Sequence, residues 1–244
     1  MCVLEGPDLV NAALESGAEF EAVYVDASAA QSPSFTRLAN RAQQLGVRVF
    51  ALAEGVVEKI ADAQTPQPVL AAVRFDVRAV ESIPKVGLTL VLHDLKDPGN
   101  VGTIIRSADA AGVTAVVVTG QSVDPYNPKT LRASAGSIFH LPVVVTSIDE
   151  ALAHFGSDAQ LLATVVRGGR EYHDVDFRAP SVVLIGNEAD GLDEETIARC
   201  DQTISISMSG RSESLNAGVA ASLVAFEALW QRRDTVATPP TRSL

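Results

Sequence analysis

The second part of the chain contains short segments that are apolar at nearly every position and that alternate with stretches of helical periodicity. The strand-like segments read LTLVLHDL from residue 88, then TAVVVTG, LPVVVT, QLLATVV, SVVLIG and QTISIS, and helices are predicted over 101–111, 129–135 and 214–230. Strands that are apolar on both faces are typical of a parallel sheet covered by helices on each side. The pattern predicts an α/β fold, and ligands of such sheets bind beyond the carboxyl ends of the strands.

The first part of the chain predicts a smaller alternating α/β unit. Pro7 begins a predicted helix that ends at Gly17, since proline favours the first helical position and glycine the position after the last. Further strands and helices are predicted over 20–26, 32–46, 47–50, 53–61 and 69–75. Pro84 then interrupts a stretch without apolar periodicity. We predict an amino-terminal domain over 1–76, a linker over 77–87, a second domain over 88–233 and a disordered tail over 234–244.

Composition disfavours several classes of protein. Cys2 and Cys200 have no paired spacing and the four histidines form no close ligand motif, so we expect neither a disulfide framework nor a metal site. No apolar run approaches the roughly 20 residues that span a bilayer, and the start of the chain lacks the basic and apolar regions of a signal peptide. We therefore expect a cytoplasmic globular protein with no membrane partner.

The formal net charge of −11 weighs against a nucleic-acid partner, because proteins that bind nucleic acids usually carry a basic surface. A cleft can nevertheless be basic in an acidic protein. The cations of the second domain that could serve such a cleft are Lys129, Arg132, Arg167, Arg170, Arg211, Arg232 and Arg233. Taken singly, each of them is more typical of an ordinary solvated surface charge.

The first segment that could carry chemistry reads LHDLKDPGNVGTIIRSADAAGV. A strand leads through a Gly-containing turn into a helix that bears Asn100, Gly102 and Arg106, so free backbone N–H groups and an arginine could together bind an anion. The segment has neither the glycine fingerprint of dinucleotide-binding folds nor the lysine of a Walker loop. The structural alternative is that Asn100 caps the helix and Arg106 faces solvent.

The second segment, SVVLIGNEADGLDEE, predicts a buried strand that ends at Gly186 and a loop that contains Glu188 and Gly191. Glycines allow a bound group to approach the backbone closely, and Glu188 is the charge at the strand end. The structural alternative is an acidic turn that enters a helix capped by Asp190 or Asp193.

The third segment reads ISISMSGRSESLNAGVAASLVAFEALW. A strand leads to Gly210 and then to a predicted helix whose first residues are Ser214, Leu215 and Asn216. Polar side chains at a helix start can bind a ligand with the same geometry that caps the helix. The structural alternative is that Ser212 or Ser214 is the N-cap of an amphipathic core helix.

Together the three segments resemble the three signature motifs of the SpoU (TrmH-like) methyltransferases in the SPOUT superfamily. The matching residues are Asn100-x-Gly102-x-x-x-Arg106, Leu184-x-Gly186-x-Glu188-x-x-Gly191 and Ile206-x-Met208-x-Gly210-x-x-x-Ser214-Leu215-Asn216. The resemblance covers about residues 4–232, and its stretches EGPDLVNAAL and TPQPVLAAV are similar to an amino-terminal substrate-binding domain of the family. The chain departs from the family at Ser207, where proline is usual, and at Ala217 and Gly218, where valine and serine are frequent.

The resemblance implies a ribose 2'-O-methyltransferase that transfers a methyl group from S-adenosylmethionine to structured RNA. It implies an α/β domain with a parallel sheet and a deep carboxyl-terminal trefoil knot, preceded by a small α/β domain that resembles an RNA-binding ribosomal protein. A homodimer with the cofactor site at its interface is also implied. The amino-terminal domain favours rRNA, with 23S rRNA as the expected substrate, and recognition by shape and loops.

The resemblance further implies a catalytic role for Arg106, for which two alternatives stay open. Arg106 could act as a general base after losing its proton to an RNA phosphate. It could instead remain charged, grip the phosphate and stabilise the developing alkoxide, since a guanidinium is deprotonated only above about pH 12. Asn100 and Glu188 would orient Arg106, while Ser214 and Asn216 would hold the substrate or the loop.

For the cofactor, the resemblance implies that backbone groups of Gly186, Ile206 and Leu215 bind the adenosine, with Leu184 and Met208 as apolar walls. Two alternative functions stay open. One is a tRNA 2'-O-methyltransferase, because the same motifs serve both substrates. The other is a catalytically silent RNA-binding or ribosome-assembly protein of the same fold, which would be expected to lack one of the motif residues.

Overall fold

The amino-terminal part of the chain forms a four-stranded sheet with helices packed on it. The computed structural model describes residues 1–29, 32–61, 65–75 and 78–233. The elements of this part are β1 (Cys2–Glu5), α1 (Pro7–Ser16), β2 (Glu19–Asp26), α2 (Pro33–Gln44), β3 (Val49–Leu52), α3 (Val56–Ile60) and β4 (Val69–Arg74). The strand order is β1-β4-β2-β3, in which β2 and β3 are parallel and the other pairs antiparallel.

The second part forms a seven-stranded sheet in the order β7-β6-β5-β10-β8-β11-β9, and all of its strand pairs are parallel. The predicted parallel α/β fold is therefore confirmed. Its elements are β5 (Leu88–His93), α4 (Pro98–Ala110), β6 (Ala115–Thr119), α5 (Pro128–Ser134), β7 (Val143–Val145), α6 (Ile148–Phe155), β8 (Gln160–Thr164), β9 (Arg170–Glu171), β10 (Ser181–Ile185), α7 (Glu194–Ala198), β11 (Gln202–Ser205) and α8 (Ala217–Arg233).

Helices cover both faces of this sheet, which is why its central strands are buried at every position. Alternate residues of β5 belong to different clusters of buried side chains: Leu90 and Leu92 share one with α4 and α8, whereas Val91 shares the other with α6. No helix within the described residues is long and apolar enough to cross a membrane.

Several predicted boundaries are wrong by a few residues. The strand predicted over 47–50 lies at Val49–Leu52, and the third helix is shorter than predicted, at Val56–Ile60. The last helix begins at Ala217 rather than at Ser214, because the Asn216 side chain accepts a hydrogen bond from the Val219 N–H at 3.2 Å and caps the helix. The predicted tail over 234–244 lies outside the described residues.

The sequence-based prediction missed β1, α6 and β9, and it gave α7 only as the structural alternative for the second segment. The helix α6 carries a complete capping box, in which Ser147 and Glu150 bond each other's backbone N–H groups, and this signal was present in the sequence. Within the predicted linker, Val80 and Ile83 are buried against the second sheet in and beside a short 3-10 turn. Isolated apolar residues of this kind show no periodicity, so their burial depends on tertiary contacts.

Close contact between α4 and α5 explains the glycine of the first motif. A Cβ atom on Gly102 would lie 2.4 Å from the Cβ of Ala133 and 2.6 Å from the carbonyl oxygen of Thr130. Neither distance is possible for a real side chain, so Gly102 allows the two helices to touch backbone to backbone. The glycine therefore has a packing role that fixes α5 beside α4.

The helix α5 in turn joins the two sheets. Arg132 on α5 forms an ion pair of 2.7 Å with Glu5 on β1, whose side chain is only 6% exposed. Phe75, at the end of the first sheet, packs on Tyr126 and Phe139 with ring centroids 4.4 and 5.2 Å apart. Buried residues of both sheets belong to one cluster, and the domain boundary proposed from the sequence stays a prediction.

We expect Arg132→Met to destabilise the protein by about 2 kcal/mol, because it leaves the buried Glu5 carboxylate without its cation. The Arg132 side chain is 30% exposed, so this figure is below the range for a fully buried pair. The measurement is urea denaturation at neutral pH. Arg41→Met, which breaks the exposed pair with Glu15, is the matched control and should cost less than about 0.5 kcal/mol. Equal effects of the two substitutions would contradict this interpretation.

Candidate active site

A cleft of about 340 Å³ lies beyond the carboxyl ends of β8, β10 and β11. Thr164, Ile185 and Ile204 line it where these three strands end. The loop after β10, the segment after β11 and the first turns of α8 supply the other walls. Both the place and the size are typical of small-molecule sites in open α/β sheets.

The loop after β10 is a closed turn held by its own backbone. Asn187 and Gly191 exchange two backbone hydrogen bonds of 3.2 and 3.1 Å, and the Asn187 side chain accepts two more from N–H groups inside the loop. A Cβ on Gly186 would lie 2.2 Å from the carbonyl carbon of Gly191, so only glycine permits this crossing. The turn places Glu188 beside the cleft.

The segment between β11 and α8 places apolar side chains and backbone N–H groups that donate no hydrogen bond on the same wall of the cleft. Ile206, Met208, Ser214 and Leu215 all line the cleft. Within the described part of the chain, the backbone N–H groups of Ile206, Met208 and Leu215 donate no hydrogen bond. Apolar walls next to unused backbone donors suit a purine nucleoside, whose faces are apolar and whose ring nitrogens accept hydrogen bonds. The residues present therefore fit an adenosine-containing cofactor.

One side chain, Asn100, joins the three motif segments. Its Nδ2 donates to Glu188 Oε1 at 2.7 Å, and its Oδ1 accepts from Asn216 Nδ2 at 2.8 Å. Asn216 also caps α8 through Val219 N–H. A continuous chain of hydrogen bonds, which we call the Asn100 relay, thus runs from Glu188 through Asn100 to Asn216.

Two structural alternatives for these segments are wrong in detail. Asn100 does not cap α4, because the N-cap is Asp97, whose Oδ1 accepts from the Asn100 N–H at 2.9 Å. Asn216, rather than Ser212 or Ser214, provides the side-chain cap of α8. For the second segment, Asp193 is the N-cap of α7, as one of the alternatives predicted.

Arg106 lies near the relay but makes no contact with it. It is exposed on α4, about 9 Å along the helix axis from Asn100, and forms no hydrogen bond or ion pair with any described residue. The role of Asn100 and Glu188 in orienting Arg106 stays a prediction, and in this chain those two side chains bond each other. Its helix neighbour Ser107 bonds Ser222 at 2.7 Å, which places Arg106 at the edge of the contact between α4 and α8.

Leu184 is the predicted cofactor residue that does not line the cleft. It is fully buried in the cluster shared with α6, on the other face of the sheet. Successive strand residues point to opposite faces, so Ile185 occupies the position expected for Leu184. Other lining residues that the sequence-based prediction missed are Thr164, Val165, Val166, Leu192, Ile197, Ile204, Ala217, Ala220 and Val224.

Neither cysteine lines the cleft as the structure describes it. Burial raises the pKa of Cys200 to about 11, so its thiol stays protonated at neutral pH. Hydrogen bonds from Thr196, with a smaller contribution from His93, lower the pKa of Asp193. Among the described residues, no group of three or more His, Cys, Asp or Glu side chains could hold a metal ion.

Comparison with known proteins places this site in a family. Residues 87–226 match the model of the SpoU rRNA methylase family, and residues 3–76 match that of the RNA 2'-O ribose methyltransferase substrate-binding domain. The chain belongs to the SpoU rRNA methylase family. The SpoU assignment confirms the predicted family, the parallel-sheet α/β fold and the prediction of an RNA 2'-O-methyltransferase that uses S-adenosylmethionine. The trefoil knot stays a prediction.

Individual SpoU relatives match over most of the chain. A 23S rRNA (guanosine-2'-O-)-methyltransferase from Xanthomonas axonopodis pv. citri is 30% identical over 93% of this chain and 95% of its own length. A 23S rRNA (uridine(2479)-2'-O)-methyltransferase from Streptomyces viridochromogenes is 39% identical, over 69% of this chain and 62% of its own length. The crystal structure of the SpoU methyltransferase AviRb from the same organism, in complex with AdoMet, has a TM-score of 0.82 at 32% identity, covering 95% of this chain and 90% of that one.

We expect Asn100→Asp to break the Asn100 relay, because it replaces the amide donor with a carboxylate facing Glu188. The substitution should destabilise the protein by about 1 kcal/mol at pH 7.5, a low figure because both side chains are partly solvated. Thermal denaturation of the variant and the wild type in the same buffer is the measurement. A variant as stable as the wild type would count against the relay.

Proposed function

We propose that this chain methylates a ribose 2'-hydroxyl of structured RNA, with 23S rRNA as its substrate, at a site formed by the cleft, the Asn100 relay and Arg106. The observation that carries the proposal is the relay, because it joins all three motif segments at the mouth of one cleft. The 23S rRNA assignment is supported by the relative from Xanthomonas, which aligns with both sheets rather than with the second one alone.

The cleft is proposed to bind the cofactor through the backbone at Gly186, Ile206 and Leu215, with Met208 and Ile185 as apolar walls. Support comes from the unused backbone donors of Ile206 and Leu215. When bound, S-adenosylmethionine would supply a methyl group made electrophilic by the adjacent sulfonium charge. The closed turn between Asn187 and Gly191 would keep the wall at Gly186 rigid.

Arg106 is proposed to remain charged and to bind an RNA phosphate beside the target ribose. Its exposure favours this role over that of a general base, since a guanidinium in contact with water holds its proton. The positive charge would stabilise the negative charge that develops on the 2'-oxygen as its proton leaves. The relay would act on the same ribose by fixing Glu188 at the cleft and Asn216 at the start of α8, with Ser214 between them on the cleft wall.

Few cations are available for the RNA backbone, so those without a short ion pair or hydrogen bond matter most. Arg132 is paired with Glu5 at 2.7 Å, and Arg232 donates to the carbonyl oxygens of Phe177 and Ala179. Four exposed cations remain as candidates, namely Arg106, Arg167, Arg211 and Lys129, the last of which forms only a long ion pair of 3.8 Å with Asp97. We propose that these four supply the phosphate contacts, while shape recognition by the amino-terminal unit supplies the rest.

A homodimer is proposed from the outer face of α8. Val219, Leu223, Phe226 and Trp230 recur at helical spacing on one face and are all exposed, with Phe226 39% and Trp230 62% accessible. An apolar stripe of this size on a surface helix is typical of an interface. The stripe runs beside Arg106, because Ser107 and Ser222 are in contact, so a partner packed on α8 would lie next to this arginine.

The proposed activity is tested by offering purified protein S-adenosylmethionine with either 23S rRNA fragments or tRNA transcripts. We expect methyl transfer to rRNA, and Arg106→Ala should lower kcat by about 100-fold or more while the affinity for S-adenosylhomocysteine changes less than twofold. Arg199→Ala, which removes an exposed arginine paired with Asp149, is the control and should retain wild-type rates.

Each other outcome would contradict one part of the proposal. Turnover retained by Arg106→Ala would remove the arginine from the mechanism. Methylation of tRNA alone would replace rRNA as the substrate. Binding of S-adenosylhomocysteine without transfer to either RNA would favour the silent RNA-binding protein.

The dimer is tested with Phe226→Asp, which places a charge in the centre of the apolar stripe. We expect the wild type to sediment as a dimer at micromolar concentration and the variant as a monomer, because a buried unpaired carboxylate opposes association. Val86→Asp alters an exposed apolar residue elsewhere, 61% accessible against 39% for Phe226, and should leave the dimer intact. A monomeric wild type would refute the assignment of this face.

A further inference from the structure

The segment that follows β8 runs in close contact with β11 and forms one side of the cleft. Val165 N–H donates to the carbonyl oxygen of Ile204 at 2.9 Å, and Ser205 Oγ donates to that of Gly169 at 3.0 Å. A Cβ on Gly169 would lie 2.7 Å from the carbonyl carbon of Ile204. The two segments therefore touch at the backbone up to the residue where β11 ends.

Beyond β11 this contact continues through one carboxylate. Glu171 Oε2 accepts from the Ser207 N–H at 3.3 Å, and Glu171 Oε1 accepts from the Ser207 hydroxyl at close range. Glu171 is held in place by β9, which pairs with β11 so that Glu171 lies opposite Ser205. The Glu171 carboxylate thus extends past its strand partner Ser205 and accepts hydrogen bonds from both donors of Ser207, the backbone N–H and the hydroxyl.

No other restraint of this kind holds the segment. Among the described residues, Ser207 is the one residue between 206 and 215 whose backbone N–H donates a hydrogen bond. Ile206 and Met208, the neighbours of Ser207, both line the cleft. Fixing Ser207 therefore fixes the two side chains that are proposed to contact the cofactor.

The segment also borders a second open space. A cavity of about 310 Å³ is lined among others by Arg167, Gly168, Glu171, Ser207 and Ser212, and it shares Ile206 and Met208 with the cleft. A loop beside open space and without regular secondary structure depends on specific contacts to keep its position. Serine does not restrict the backbone covalently as a proline would, so Ser207 depends on its hydrogen bonds for its position.

We propose that Glu171 is a positioning residue for the cofactor, which acts by clamping Ser207 and so keeps Ile206 and Met208 against the cleft. The inference rests on the proposed cofactor cleft. In this chain two hydrogen bonds to a carboxylate supply the restraint that a proline ring would otherwise supply. Glu171 lies outside all three motifs and belongs to a two-residue strand.

The experiment measures the affinity of the full-length protein for S-adenosylhomocysteine by calorimetry. We expect Glu171→Ala to weaken binding about tenfold and Ser207→Ala to weaken it less, since the backbone N–H can still reach the carboxylate. The double variant should bind no more weakly than Glu171→Ala, because both changes remove the same contact. Glu171→Gln, which keeps the size and one acceptor oxygen, should be intermediate, and Glu195→Ala is the control on a solvated carboxylate.

Steady-state kinetics separate positioning from a general loss of structure. In Glu171→Ala the KM for S-adenosylmethionine should rise about tenfold, whereas the KM for RNA and kcat at saturating cofactor should change less than twofold. If Glu171→Ala does not fold, Glu171→Gln takes its place in both measurements.

Three results would overturn the proposal: unchanged affinity in folded Glu171→Ala, additive losses of affinity in the double variant, or an equal rise in the KM for RNA.

Leu215→Asp distinguishes failure of the Glu171 clamp from failure of the cofactor cleft itself. If Leu215→Asp abolishes binding while Glu171→Ala does not, the clamp alone is refuted. If neither changes the affinity, the cleft assignment fails and the clamp inference fails with it.

Discussion

The site depends on a property of parallel sheets, which is that all strands end at the same edge. The loops after β5, β10 and β11 are far apart in the sequence, yet they meet where these strands terminate. The carboxamide of Asn100 uses this proximity, because an amide is both donor and acceptor and can bond a carboxylate on one side and another amide on the other. Replacing the amide with either a pure donor or a pure acceptor would satisfy only one neighbour.

Some of the acidic residues that give this chain its negative net charge stabilise the N-termini of helices. Asp97 and Asp193 are N-caps of α4 and α7, and Glu150 completes the capping box of α6. Hydrogen bonds from Thr196 lower the pKa of Asp193, and hydrogen bonds from the Thr146 hydroxyl and from Ser147 lower the pKa of Glu150. Negative charge at a helix start is favourable because the helix dipole is positive there. These carboxylates are thus already engaged by local structure.

Glycine has two distinct functions in the motif segments, and neither is flexibility. Gly102 permits α5 to touch α4, and Gly186 permits the turn after β10 to cross the strand end. The first contact fixes the helix that carries Arg132, and through it the amino-terminal sheet. The second fixes the wall of the cleft. The motif glycines that indicate a ligand site in the sequence are therefore also required for close packing of the backbone.

The amino-acid sequence was sufficient to predict the parallel sheet, because strands that are apolar on both faces are typical of sheets covered by helices on each side, and it identified the three segments at the strand ends. It also selected Gly186, Ile206, Met208 and Leu215, which all line one cleft. Tertiary structure alone decided that Ile185 rather than Leu184 faces this cleft, since strand polarity is invisible when both faces are apolar. The hydrogen bond between Asn100 and Glu188 and the contact between Glu171 and Ser207 are likewise visible only in the tertiary structure. Hydrogen bonds between distant segments depend on where the fold places them, and no local pattern encodes that distance.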